Sequence, residues 1–445
     1  MQLSIFAKYF GILKSKFSGE IGKNISWFTG DKMVKIAIGT VVGSLLARYL
    51  GPVKFGELNY IAAYASIFTP IASFGLTPII ARDIPKEEPS TKEILGVSFM
   101  LRTIGVIIAI VLGAIWGLTT NQLSGNYLLY YVLISVSTIG AVFEGYDVYY
   151  QTKLKNKTIV VNRFIAFSIV TVIRIIGLII KADVIYFVAI YALDYLLGGI
   201  FLYYHASKEG LSLKDLSLSK NRAVMYLKEV AIIILAATLT NYYMRIDKIV
   251  MLQFHSRFDL GIYSAVTKLS ELWFFIPAAI ASVYAPILSK RSATDNELYL
   301  HTLKKQTAMI LYITYAICLF TTVFAPILIY VFFGEKYMAA VNPLRIHIWS
   351  LVFVALGTAQ MAWNSIEKKQ TLFLFRAIFG ALACLGMYYL LIPNYSVMGA
   401  AVATTIAYSV PGLFSNAFHP ATRKVFFMQL SVLIPTPKNI KLLFS

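Results

Sequence analysis

Ionisable side chains that interrupt long apolar runs are the residues whose chemistry needs explaining. Lys35, Arg102, Arg174, Lys268 and Arg376 lie well inside apolar stretches, as do Asp31, Asp194 and Glu271. Asp247 sits between Arg245 and Lys248 nearer the end of another stretch. A charge at the bilayer centre costs something like 2.5–3.5 kcal/mol on insertion scales, so such groups face a partner, a bundle interior or a wet cavity. Asp31 and Lys35 are four residues apart and Lys268 and Glu271 three, close enough on one helix face to neutralise each other. Arg102, Arg174 and Arg376 have no acidic neighbour in their own segments, so their counter-charge must come from another segment or from a ligand. Arginine offers a fixed fork of donors to phosphate-type oxygens and lysine a point charge, so the chemistry expected is anion binding.

Covalent catalysis and metal chemistry have no comparable support. Cys318 and Cys384 both fall in apolar segments and form no metal-ligand spacing. His205, His255, His301, His347 and His419 are scattered over helix ends and loops and read as structural or surface residues. No cofactor and no metal are expected. A Gly-rich phosphate loop is absent from the sequence, and no long polar stretch offers a soluble catalytic domain.

The elements that hold these charges follow from composition. The 445 residues are 58% apolar and 14% charged, with a mean hydropathy of +0.71, far from the roughly 45–50% apolar and 25% charged profile of soluble domains. A bilayer span takes about 20 apolar residues. Apolar runs set against breakers give spans 1 to 6 at 24–50, 56–80, 94–118, 127–151, 158–180 and 184–206. Spans 7 to 12 follow at 223–252, 260–289, 304–333, 342–366, 370–392 and 395–418. The fold class expected is an all-α polytopic membrane protein of about 12 spans.

Charge then orients the spans. The chain carries 40 Lys and Arg against 21 Asp and Glu, a net +19 that would suggest nucleic acid in a soluble protein. Here 24 of the cations fall in the N-terminal segment, the even-numbered loops and the tail, and seven at the odd-numbered loops. By the positive-inside rule both termini are cytoplasmic, and no nucleic-acid partner is needed. Among the nine remaining cations, Arg163, Lys228 and Arg345 lie near helix ends and are expected to snorkel to the headgroups. The organisation expected is a cytoplasmic segment at 1–23 that is not a cleaved leader, a six-helix bundle at 24–206 and a cytoplasmic linker at 207–222. A second six-helix bundle at 223–418 and a cytoplasmic or interfacial tail at 419–445 complete it.

The halves repeat. A shift of about 205 residues sets span 1 on span 7 and span 2 on span 8, and brings Phe55-Gly56 onto Leu260-Gly261. Pro70 and Pro78 in span 2 then answer Pro277 and Pro286 in span 8, a matched pair of bends. Six spans per half keep the same orientation, so the halves relate by a pseudo-two-fold axis along the membrane normal.

Two segments carry a resemblance. Leu46-Ala47-Arg48-Tyr49-Leu50-Gly51-Pro52 with Phe55-Gly56-Glu57-Leu58-Asn59-Tyr60 forms the first. The second is Arg245-Ile246-Asp247-Lys248 with Gly261-Ile262-Tyr263-Ser264-Ala265 and Lys268-Leu269-Ser270-Glu271-Leu272-Trp273. They resemble the junctions of the first two helices of each half in the Wzx-type polysaccharide flippases of the multidrug/oligosaccharidyl-lipid/polysaccharide (MOP) exporter superfamily. Residues 419–445 fall outside the resemblance.

The resemblance implies alternating-access translocation of a polyprenyl-diphosphate-linked oligosaccharide across a bacterial inner membrane, for O-antigen, capsule or exopolysaccharide synthesis. The five buried cations would meet the diphosphate. Tyr242, Tyr243, Trp273, Gln360, Trp363 and Asn364 are available to contact sugars, although Trp and Tyr also populate bilayer interfaces. Asp31, Asp194, Asp247 and Glu271 are candidates for charge pairing or for coupling to a H+ or Na+ gradient or the membrane potential. Other membrane proteins of polysaccharide assembly are the partners implied. The rival readings are a polytopic glycan polymerase or ligase and a MATE-like drug exporter, the first disfavoured by short outward loops and the second by a cationic lumen.

Overall fold

Span 3 illustrates why the chain packs as it does. Gly105, Ala109, Gly113 and Gly117 recur every four residues on its buried face, and Ile107, Val111, Ile115 and Leu118 on the opposite face are exposed. Apolar burial gives helices little reason to associate in lipid, so small residues that permit close approach mark the packed side and bulky aliphatic ones face hydrocarbon. The Tyr131 ring closes over Gly113 and its hydroxyl donates to the Ile110 carbonyl at 3.0 Å.

The computed structural model describes residues 20–367 and 370–443. Most of the N-terminal segment, including Lys8, Lys14 and Lys16, lies outside the described residues, as do Lys368 and Lys369 and the side chains of Lys23 and Lys438. Among the described residues the secondary structure is helical and no strand occurs.

Nine of these helices are long and apolar enough to cross a bilayer, and the bent pair Glu335–His347 and Ser350–Ile366 forms a tenth, with a 45° break. Two of the nine are double. Gly30–Ile67 has 38 residues, about 57 Å of helix at 1.5 Å per residue, against a hydrocarbon core of about 30 Å. It breaks at Gly51, whose φ of 69° and ψ of 172° only glycine adopts readily. Leu374–Phe418 breaks at Ser396, with φ 47°. Across that break the Tyr388 hydroxyl meets Thr404 Oγ1 at 3.3 Å although 16 residues separate them, so the chain has doubled back. A straight helix would hold them about 24 Å apart. Dividing both helices yields the twelve spans expected.

Span 2 departs from expectation. Instead of one helix over 56–80 the chain runs helically to Ile67, makes a short helix at Thr69–Ala72, turns through Phe74 and Gly75 at positive φ, and resumes at Thr77–Lys86. Pro70 and Pro78 fall at the starts of the last two pieces, where a missing N–H costs nothing. Span 8 is only loosened, its helices Arg257–Glu271 and Phe275–Thr294 joined through a 3-10 turn at Leu272–Phe274 into one continuous span, with Pro277 in the first turn of the second piece. Pro286 lies inside that second helix.

Two compact units result. The N-terminal unit comprises residues 1–43 and 68–234, and its core gathers Leu76, Ile80, Ile94, Leu101, Tyr146 and Leu202. At its charged end Arg82 bonds Asp83 at 2.6 Å and Glu229 at 2.9 Å, and the Tyr226 hydroxyl donates to Asp83 at 3.1 Å. Burial pushes the Asp83 carboxyl up, but the Arg82 and Tyr226 bonds outweigh it and hold the group below the usual carboxylate range.

The C-terminal unit comprises residues 44–67 and 235–445, with Leu311, Cys318, Leu351, Leu356 and Leu413 in its core. Its tail helix, Pro420–Leu433, buries Val425, Gln429 and Val432 while Phe427 stays exposed. The two resemblance segments meet inside this unit. A Cβ on Gly56 would lie 2.5 Å from the Arg257 carbonyl and 2.9 Å from the Gly261 nitrogen, and one on Gly261 would overlap the Pro52 carbonyl. Arg257 pairs with Glu57 at 2.7 Å, Arg48 donates to the Tyr330 and Val331 carbonyls at 2.8 and 2.5 Å, and the Tyr337 hydroxyl donates to the Ala47 carbonyl at 2.9 Å. Arg48 thereby caps the last turn of the helix Asn296–Phe333, sharing the Tyr330 carbonyl with the Gly334 backbone N–H at 3.0 Å and adding a donor to that of Val331.

Candidate functional site

Each unit contains its own set of charged groups at span depth. In the N-terminal unit Lys35 donates to Asp31 at 2.9 Å. Asp194 lies in the field of Arg174, Lys35 and Arg163 without a hydrogen-bonded ion pair to any of them among the described residues. Arg174 is part-buried and interacts with Asp194 only at this longer range.

Arg102 is a correction. Expected to meet the cargo, it is 0% exposed, and its guanidinium is consumed by Glu144, by the Ala141 carbonyl at 3.1 Å, by Thr77 at 3.1 Å and by Ser98 at 3.2 Å. Its counter-charge does come from another segment, span 4. Glu144 also accepts from the Tyr195 hydroxyl. Arg163 is a second correction. It does not snorkel but grips Asp147 with Nε at 2.7 Å and Nη2 at 2.5 Å, and its guanidinium lies 5.2 Å from the centre of the Tyr195 ring.

Glu144 and Asp147, three residues apart on span 4, are carboxylates of this candidate site that the sequence reading passes over. The signal was readable as Glu144-Gly145-Tyr146-Asp147, but both lie toward the loop end of their span and were not weighed as buried. They line a cavity of about 340 Å³ together with Asp31, Lys32, Thr77, Gln151, Arg163, Tyr195 and the apolar Val148, Ile159 and Val160. Asp31 Oδ1 is buried there with no hydrogen-bond partner among the described residues.

In the C-terminal unit Glu271 is held by Arg245, with Nη1 at 3.1 and 3.3 Å from its oxygens, and also feels Lys248 and His347. The partner that holds Glu271 therefore comes from span 7, while the Lys268 ammonium sits 5.3 Å from the centre of the Phe55 ring and is exposed. Asp247 and Lys248 are buried; Asp247 accepts from the Tyr263 hydroxyl at 2.7 Å and from the Lys248 backbone N–H at 2.8 Å. Tyr263 also meets Thr404 at 3.1 Å. His347, buried as well, is bonded through Nδ1 to Ser270 at 2.7 Å. Arg376 places Nε and Nη2 on the Pro411 carbonyl at 2.9 and 2.6 Å.

The residues expected to touch sugar divide. Tyr242, Tyr243 and Trp273 are part-buried, with Tyr243 edge-on to Tyr408 at 6.0 Å and Trp273 packed beside the core. Gln360, Trp363 and Asn364 are instead buried, at 2%, 7% and 6% exposure. Gln360 exchanges amide bonds with Asn416 at 3.0 and 2.8 Å, Asn416 donates on to Gln429 of the tail helix at 3.1 Å, and Trp363 packs with Leu288, Tyr299 and Val425. Gln360 and Trp363 thus stitch the tail to the bundle, while the Asn364 amide oxygen is buried with no hydrogen-bond partner among the described residues. No group of His, Cys, Asp and Glu among the described residues could hold a metal ion.

Comparison with known proteins places this arrangement. No curated protein matches the chain. Among solved structures, a lipid II flippase MurJ in an inward closed conformation is similar over 94% of this chain and 95% of its own, with a TM-score of 0.68 and 13% identity. An inward-facing multidrug resistance MATE family transporter of the MOP superfamily gives 0.66 at 16% identity over 94% and 98%. A MOP superfamily transporter from Pyrococcus furiosus, described as having a binding pocket of reversed polarity, gives 0.62 at 16% identity over 94% and 97%. These likenesses establish the fold. Residues 21–292, more than half of the chain, match the family described as Polysaccharide biosynthesis protein. The chain is a multi-pass membrane protein that belongs to this polysaccharide biosynthesis family of MOP superfamily flippases, which are transporters and not enzymes.

Proposed function

We propose that this flippase moves a polyprenyl-diphosphate-linked oligosaccharide repeat unit across a bacterial inner membrane by alternating access, with both termini in the cytoplasm. The product feeds a surface polysaccharide such as O-antigen, capsule or exopolysaccharide. The observation that carries the reading is a pair of part-buried guanidiniums at span depth, Arg174 in one unit and Arg376 in the other, neither in a carboxylate ion pair among the described residues. For either guanidinium taken by itself, a diphosphate supplies the missing charge with oxygens matched to the fork. Lys268, exposed beside Phe55, adds a third cation that a phosphate can reach.

Coupling falls to the set of buried Asp247 and Lys248 with part-buried Arg245 and Glu271, in which two acids balance two bases and one proton or cation changes the net charge. Collapsing the pH gradient or withdrawing Na+ during transport tests this step, and insensitivity to both removes it.

Deletion in the native host tests the cargo. The expected result is accumulation of a polyprenyl-linked repeat unit on the cytoplasmic face and loss of surface glycan, restored by the wild-type gene and not by Arg174→Gln. Normal surface glycan accompanied by drug hypersensitivity would replace this reading with that of a drug exporter.

A further inference from the structure

We propose that the cavity of the N-terminal unit is a monosaccharide subsite that accepts a neutral or amino sugar of the cargo and rejects acidic ones. The inference rests on the flippase reading above and adds what the cargo's sugar must be like.

Polarity comes first. Ionisable groups at span depth are costly unless they serve a wet or polar ligand, and this cavity gathers Asp31, Glu144 and Asp147 against Lys32 and Arg163, with Gln151 and Tyr195. A polyprenyl tail has no use for such walls. The volume, about 340 Å³, is at the small end of the roughly 300–1,000 Å³ typical of small-molecule sites, fitting a sugar ring and not an oligosaccharide chain.

The bonding pattern sets the class of sugar. Arg102 is fully buried behind Glu144, both donors of the Arg163 fork face Asp147, and Lys35 is paired with Asp31. The guanidiniums nearest the cavity are therefore committed to the protein's own carboxylates. An ionised carboxylate has about four lone-pair sites and no donor, so each acid keeps acceptor capacity after its arginine, tyrosine or lysine bond. Asp31 Oδ1 is the clearest case, a buried oxygen with no hydrogen-bond partner among the described residues. Sugar hydroxyls and ammonium groups are donors that suit these acceptors. A uronate or a phosphorylated sugar would bring negative charge among three carboxylates that outnumber the two lining cations, Arg163, already spent on Asp147, and Lys32, which has an interaction of its own. Tyr195, fixed by its hydroxyl on Glu144 and by the guanidinium over its ring, supplies a rigid aromatic wall.

The test uses the full-length protein in nanodiscs and three short-chain probes: a bare polyprenyl diphosphate, one carrying a neutral hexose and one carrying a hexuronic acid. The neutral sugar is expected to tighten binding over the bare diphosphate, and the uronic acid to bind at least about tenfold more weakly than the neutral sugar, the scale of one like-charge contact. Asp147→Asn should erase most of that discrimination. Gln151→Leu, at an exposed cavity position that the fold does not need, should weaken the neutral sugar without touching the bare diphosphate. Equal binding of all three probes, with both variants silent, would overturn the subsite and leave the flippase reading standing. Failure of the bare diphosphate to bind would instead count against the flippase reading. Tight binding of a lipophilic organic cation with no effect of either sugar would overturn the sugar assignment in favour of a cationic cargo.

Discussion

Among the single residues, Arg102 and Arg174 look alike in sequence, each an arginine in an apolar segment without a local acid, and the fold gives them opposite surroundings. Arg102 is sealed among Glu144, Ala141, Thr77 and Ser98, whereas Arg174 is only part-buried with Asp194 at longer range. Removing one member of a buried pair leaves a bare charge and costs about 3–5 kcal/mol. Arg102→Ala is therefore expected to lower the melting temperature and the yield of monodisperse protein in detergent, so that export is lost through the fold. Arg102→Met combined with Glu144→Gln, which removes both charges together, should recover much of that stability. Arg174→Gln should melt like the wild type and still fail to export. A stable Arg102→Ala protein that inserts and melts normally would return Arg102 to the cargo path. Sequence could not separate the two arginines because the partner that distinguishes them sits 42 residues away on another span.

The spans were legible as elements because each is a run of apolar residues long enough to cross lipid, and hydropathy reads that directly. The Asp31–Lys35 pair was legible for a related reason, since a spacing of four fixes proximity within one helix. What hydropathy cannot see is where an apolar segment bends. Span 2 breaks between Ile67 and Thr77 around Pro70, and the chain doubles back at Ser396 rather than at Pro393-Asn394. The tail was equally opaque, because Gln360 reads as a polar residue available to a sugar and instead bonds Asn416, which bonds Gln429 of the tail helix in turn.

The junction of spans 1 and 2 shows what its motif is for. Gly51 is needed for its backbone conformation, with open space around it, while Gly261 is needed because the Pro52 carbonyl occupies the place of a side chain. The two glycines should fail differently. Gly51→Ala should cost about 1–3 kcal/mol of stability as strain in a glycine-only region. Gly261→Ala should cost more, since backbone on backbone cannot relax as a flexible side chain does. Comparing the melting temperatures of the two variants checks the order, and a Gly261→Ala protein as stable as Gly51→Ala would mean that the helices separate there without penalty.

For the whole molecule, the net charge of +19 is the property that most constrains how the chain sits in its membrane. Cations in alternate loops are read during insertion and hold their side of the membrane against translocation. Lys153, Lys155 and Lys157 between spans 4 and 5, and Lys208, Lys214, Lys220 and Arg222 between spans 6 and 7, lie on the side of both termini, whereas Lys181 is the lone cation of the intervening loop. Several of these cations also have structural partners, as when Arg222 bonds Glu93 and Glu87 at 2.8 Å, so the loops that set topology also fasten the N-terminal unit. Reporter fusions read this directly. Green fluorescent protein at Ser445 or in the loop at 209–219 should fluoresce, and alkaline phosphatase at the same points should be inactive. Phosphatase inserted near Asn121 or Lys181 should be active. The reverse pattern would invert the protein, and with it the direction in which the cavity and the arginines meet their cargo.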